Sequence, residues 1–98
     1  MKIIRSSQTY EDLVEIAAYY GADDATVADR FFDSYELSLQ TLKRNPKIGF
    51  TRHTKTGEAI RIWMVKNFEN VLILYREAPN EIVIMRVIHS ARDYNRFI

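Results

Sequence analysis

The sequence predicts an α+β fold of order β-α-α-β-β-β, a helical hairpin packed on a mainly antiparallel four-stranded sheet. Three observations lead there. Apolar residues recur at helical spacing in two stretches before residue 45. After Thr51 the pattern changes to three runs rich in Ile, Val, Leu, Tyr and Trp, parted by short polar breaks. The chain has 98 residues, 47% of them apolar, with only three Gly and two Pro, which suits one modest core. One domain over residues 1–98 is expected.

Lys2–Arg5 is short and apolar in its middle, and reads as a first strand. Ser6, Ser7 and Thr9 are N-cap candidates, and Thr9-x-x-Asp12 is a variant of the capping box. Leu13, Ile16, Ala17 and Tyr20 then mark one face of a first helix, with Gly21 as its C′ residue. Asp23 and Asp24 offer a new N-cap. Ala28, Phe31, Phe32, Tyr35, Leu39 and Leu42 form the apolar stripe of a longer second helix. Lys43 and Arg44 suit its last turn, and Asn45-Pro46 ends it. Ile48-Gly49 begins a connecting loop, and His53 reads as exposed within it. Ala59–Lys66, Val71–Glu77 and Ile82–His89 follow as an antiparallel meander, with turn chemistry at Glu77-Ala78-Pro79-Asn80-Glu81.

Composition excludes several classes. Cysteine is absent, which removes disulfides, thiolate metal sites and cysteine nucleophiles. Two isolated histidines make no zinc site, and no phosphate loop, dinucleotide fingerprint or nucleophile elbow is present, so no cofactor or metal is expected. No apolar run reaches the ~18 residues of a membrane span, and the start of the chain lacks the apolar core of a signal peptide. A soluble cytoplasmic protein is expected. The net charge of +1 does not mark a nucleic-acid binder. Residues 1–50 carry six basic against eight acidic side chains, and residues 51–98 carry eight against five, six of the eight being arginine. Arginine suits bidentate contact with phosphates and carboxylates.

Strand parity sets Ile60, Ile62 and Met64 against Arg61, Trp63 and Val65, and Val71, Ile73 and Tyr75 against Leu72, Leu74 and Arg76. In the last run Ile82, Ile84, Arg86 and Ile88 oppose Val83, Met85, Val87 and His89. Both faces are therefore apolar, while two helices cover only one. A partner is expected on the other, the alternative being cover by loops or the carboxy-terminal tail.

The segments Asp12-Leu13-x-x-Ile16-x-x-Tyr19, Ala28-x-x-Phe31 and Leu42-x-x-Asn45-Pro46-x-x-Gly49 come first in a characteristic series. Ile60-Arg61, Val71-x-Ile73-x-Tyr75-Arg76 and Arg86-Val87-Ile88-His89-Ser90-Ala91-Arg92-Asp93 complete it. In this order and spacing the chain resembles the RelE/ParE superfamily of toxins from type II toxin–antitoxin modules, and most closely its ParE, or plasmid-stabilisation, branch. The resemblance implies a cognate antitoxin, ParD-like or related, whose extended carboxy-terminal segment covers apolar surface on the toxin. It implies DNA gyrase as the target and operator DNA as a partner only through the antitoxin. A ribosome-dependent mRNA endonuclease of the RelE type is the alternative, and an inactive antitoxin-binding member is a third reading; fold membership does not choose among them.

A metal-free ribonuclease needs a base, a proton donor and cations around one phosphate. The candidates are Arg61, Arg86, His89 and Tyr94, although parity points Arg86 and His89 to opposite faces. For binding antitoxin or target the candidates are Arg61, Trp63, Arg76, Arg86, Arg92, Tyr94 and Phe97. Each has a plainer reading: arginine stems pack along sheets, His89 closes a strand, and Arg92-Asp93 forms ion pairs at the chain end. The sequence assigns no catalytic residue, and target occupation without turnover is the expected mode of action.

Overall fold

In the computed structural model, which describes residues 1–98, the chain begins with β1 (Lys2–Arg5), α1 (Ser7–Gly21) and α2 (Ala25–Arg44). β2 (Phe50–His53), β3 (Ala59–Val65), β4 (Phe68–Ala78), β5 (Glu81–His89) and α3 (Ser90–Phe97) follow. The strands form one sheet in the order β1-β5-β4-β3-β2, with β1 parallel to β5 and every other pair antiparallel.

The α+β class and the order of the expected elements hold, with two additions. The sheet has five strands, not four, because Phe50–His53 is a strand where a loop was expected. Its residues are all exposed and only Phe50 is apolar, so no alternation betrays it; pairing with β3 makes it a strand. The carboxy-terminal tail is α3.

Local chemistry sets the helix limits. Ser6 caps α1, its Oγ accepting the Thr9 N–H at 3.2 Å. Asp24 caps α2, its carboxylate accepting the Thr26 N–H at 2.9 Å. Gly21 is not the left-handed stop expected of it, since α1 includes it and Ala22 is the C-cap. Its role is clearance: a Cβ there would stand 3.1 Å from the Ala28 Cβ of α2.

The main core lies between the hairpin and the sheet. Leu13, Ile16 and Ala17 of α1 and Phe31, Tyr35, Leu39 and Leu42 of α2 pack on the facing side chains of β3, β4 and β5. Phe32 leaves the predicted stripe and is 40% exposed, because it sits about 100° around the helix from Phe31. On the far face Ile60, Ile62, Leu72, Leu74 and Ile88 form a second cluster, with Met85, Tyr94, Phe97 and Ile98 packed against it. The chain's own tail therefore covers much of the face for which a partner was expected.

β5 is not regular. Tyr75 pairs with Ile84 and Leu74 with Arg86, leaving Met85 unpaired as a β-bulge. The expected single face Ile82, Ile84, Arg86, Ile88 is thereby split. Ile82, Ile84 and Val87 belong to the main core, and Ile88 to the second cluster.

The segment after α2 is fixed by Tyr75, whose hydroxyl donates to the Pro46 carbonyl at 2.8 Å and accepts the Gly49 N–H at 2.9 Å. A Cβ on Gly49 would lie 2.5 Å from the Tyr75 hydroxyl and 3.0 Å from the Ile62 carbonyl oxygen. Gly49→Ala is therefore expected to lower stability by about 1–3 kcal/mol through overpacking. Urea unfolding reads this directly, and an unchanged midpoint would contradict it.

Candidate functional site

β1 ends opposite Ile84, so the second half of β5 has no strand on the side away from β4. The start of α1 takes that place. The Ser6 N–H donates to the Ile84 carbonyl at 3.1 Å, Ser6 Oγ to the Met85 carbonyl at 2.8 Å, and Thr9 Oγ1 to the Ile84 carbonyl at 3.2 Å. One turn on, Asp12 Oδ2 accepts the Val87 N–H at 3.0 Å. The same carboxylate receives Nε and Nη2 of Arg86, each at 2.8 Å. Asp12 is buried, so these bonds offset the loss of its hydration. Donating to the Asp12 carboxylate in turn holds the Arg86 guanidinium more firmly protonated, against a smaller opposing effect of burial. That guanidinium also lies 4.5 Å from the ring centroid of Phe97, tying α3 to the same point.

Arg61 is held elsewhere. Its Nε bonds Glu77 at 2.8 Å, and its Nη1 reaches the carbonyls of Lys47 and Gly49 at 3.2 and 2.8 Å. It thus fastens the connection between α2 and β2. Arg61 pairs with Tyr75 of the main core, whereas Arg86 pairs with Leu74 of the second cluster, so the two leave the sheet on opposite faces.

His89 pairs with Val71 on the hairpin side of the sheet, away from Arg86. Its ring meets Tyr19 edge-on with centroids 5.8 Å apart, and its Nδ1 is buried without a hydrogen-bond partner. It forms no side-chain cap on α3. A cavity of about 270 Å³ adjoins it, lined also by Glu15, Tyr19 and Arg92. Arg92 bridges Glu15 at 2.7 Å and Asp93 at 2.9 Å, joining α3 to α1. Tyr94 and Phe97 pack on the second cluster, and half-buried Trp63 packs against the main core. Arg76 is exposed with no carboxylate partner.

The structure therefore does not gather Arg61, Arg86, His89 and Tyr94 around one point. It assembles instead three fixed junctions: Asp12 with Arg86, Glu77 with Arg61, and Asp93 with Arg92. Asp12 and Glu77, which complete two of these junctions, are not among the candidate site residues of the sequence, where Asp12 reads as part of a helix cap and Glu77 as part of a turn. No three His, Asp or Glu side chains converge as a metal centre would need, and no helix is long and apolar enough to cross a membrane.

A family model described as "ParE toxin of type II toxin-antitoxin system, parDE" matches residues 3–94. No curated protein matches the chain.

Removing Asp12 leaves the Val87 N–H and the Arg86 guanidinium without their acceptor. Asp12→Ala is expected to cost about 3 kcal/mol, and less in an Arg86→Ala background, because the two share one interaction. Equal costs in both backgrounds, by urea unfolding, would contradict the coupling. Acid acts on a different junction. Hydrogen bonds from Arg92 hold the Asp93 carboxyl below its ordinary value of 3.8, outweighing the burial that pushes it up. A depressed folded-state value gives stability that is present above the unfolded value and lost as pH falls through the folded one. Amide exchange in α3 is expected to quicken as pH drops below 3.8, after correction for intrinsic rates. Asp93→Asn should flatten that response.

Proposed function

Because the chain belongs to the ParE toxin family and is the toxin of a type II toxin–antitoxin module, we propose that it inhibits DNA gyrase by occupying it, and that a cognate antitoxin neutralises it by direct binding. The observation supporting occupation over cleavage is the dispersal of the residues a metal-free ribonuclease would use. Arg61 and Arg86 lie on opposite faces, and each is held by a carboxylate. A phosphate in flight needs its cations, base and acid within reach of one another.

The contact surfaces in this reading are the outer side of the helical hairpin, the second face of the sheet and the carboxy-terminal segment. Arg76 presents an accessible guanidinium, and Trp63 presents part of its ring. Arg61, Arg86, Arg92, Tyr94 and Phe97 are already engaged within the fold, so their part in binding is to hold the surfaces in shape. Operator DNA is reached through the antitoxin. The cytoplasm, where gyrase works, is the compartment this reading requires.

The refolded chain is expected to block gyrase supercoiling or to accumulate cleaved complexes, and equimolar antitoxin should reverse the effect. Demonstrably folded protein that spares gyrase but cuts mRNA on translating ribosomes would replace this reading with the RelE-type endonuclease.

A further inference from the structure

β2 is an edge of the sheet, exposed along its whole length. An edge strand leaves alternate backbone N–H and C=O groups without a partner. One of them has a substitute: the Thr51 carbonyl accepts a bond from the Arg52 guanidinium at 2.8 Å. Phe50 pairs with Ile62 and Arg52 with Ile60, both members of the second cluster, so Phe50 and Arg52 share the second face. Phe50 is 39% exposed. The Arg52 guanidinium sits 4.8 Å from its ring centroid and has no carboxylate partner. Met64 continues this face beyond Phe50 and is 41% exposed.

The surroundings are cationic. Lys55 follows β2 in the loop, and a groove of about 210 Å³ beside it is lined by Lys55, Arg86, Arg96 and Phe97, with Glu58 as the one carboxylate in its wall. Exposed Arg76 lies on the same face of β4. The free edge and the side-chain charges of Lys55 and Arg76 hold no other part of the fold, whereas Arg86 and Arg96 are already paired with Asp12 and Asp93. An unpaired strand edge is matched by a peptide backbone, which nucleic acid does not supply. Arginine next to a half-exposed phenylalanine is matched by a carboxylate next to an apolar side chain.

We propose that an acidic, extended segment of the cognate antitoxin adds to β2 as a sixth strand, with an apolar side chain against Phe50 and, two residues away, a carboxylate on Arg52. The two-residue separation follows from the period of a strand. The proposal rests on the antitoxin-binding reading above and gives it a location.

Amide hydrogen exchange and titration with the antitoxin of the same module test it. Alternate amides of Phe50–His53 should become at least about tenfold more protected in the complex, as new ladder bonds require. Arg52→Glu should weaken binding by about tenfold or more, whereas Lys66→Glu, an equal charge change at an exposed lysine on the β3–β4 turn, should stay within about twofold. Circular dichroism checks that both variants remain folded. If the antitoxin binds the wild type while the β2 amides stay unprotected and Arg52→Glu binds normally, the proposed strand addition is wrong and the antitoxin reading stands. If no antitoxin binding is found, both fail. Protection of β2 that grows with toxin concentration alone, or that duplex DNA produces alone, would overturn the proposal in favour of a second copy or a nucleic acid.

Discussion

The carboxylate of Asp12 fixes where the two halves of the molecule meet. It stands on the first helix, yet it completes the hydrogen bonding of the last strand through the Val87 N–H and neutralises Arg86 on the same strand. Because Val87 directly follows the bulge at Met85 and Arg86, Asp12 holds the strand at the place where its alternation changes phase. That change sends Val87 into the main core and Ile88 into the second cluster. A buried carboxylate with one hydrogen bond would weaken a fold; one with three, two from a guanidinium, specifies a single register.

The same junction explains why the sheet has two apolar faces without an exposed core. α3 starts directly at the end of β5, and Arg86 presents its guanidinium to Phe97. Arg92 then returns to Glu15 of α1, and the Lys55 N–H donates to the Phe97 carbonyl at 3.1 Å. An eight-residue helix is too short to persist alone. Here it is held at both ends, and its Tyr94, Phe97 and Ile98 complete the second cluster. Arginine thus serves mainly as internal fastening in this chain, which is why a basic second half does not translate into a basic catalytic centre.

Much of this was legible in the sequence. The hairpin could be read from Leu13, Ile16 and Ala17 and from Phe31, Tyr35, Leu39 and Leu42, because helical periodicity is a local signal. The faces of β3 and β4 followed from simple alternation, and so did the separation of Arg86 from His89. Three features were not legible as single elements. The bulge is silent because Ile82, Ile84, Arg86 and Ile88 look like an unbroken strand. β2 exists through its pairing with β3. The Asp12–Arg86 bond joins residues 74 apart, and no local pattern encodes such a distance. Two signals were nevertheless present. Tyr94, Phe97 and Ile98 stand at i, i+3 and i+4, the mark of a helix with one apolar side. Asp12 lies among Thr9, Leu13 and Ile16 on the buried side of α1, where a carboxylate demands a donor from another element.

β1 lies against β5, although almost eighty residues separate them in the chain. During synthesis the first strand therefore has no neighbour until the last strand has been made. At roughly 5–20 residues per second that interval is several seconds, during which the hairpin has no complete sheet beneath it. The Asp12 carboxylate waits as long for Arg86 and Val87. Translation that halts before β5 leaves a product lacking the strand between β1 and β4, so the ribosome releases either the whole sheet or none of its closing strand pairs.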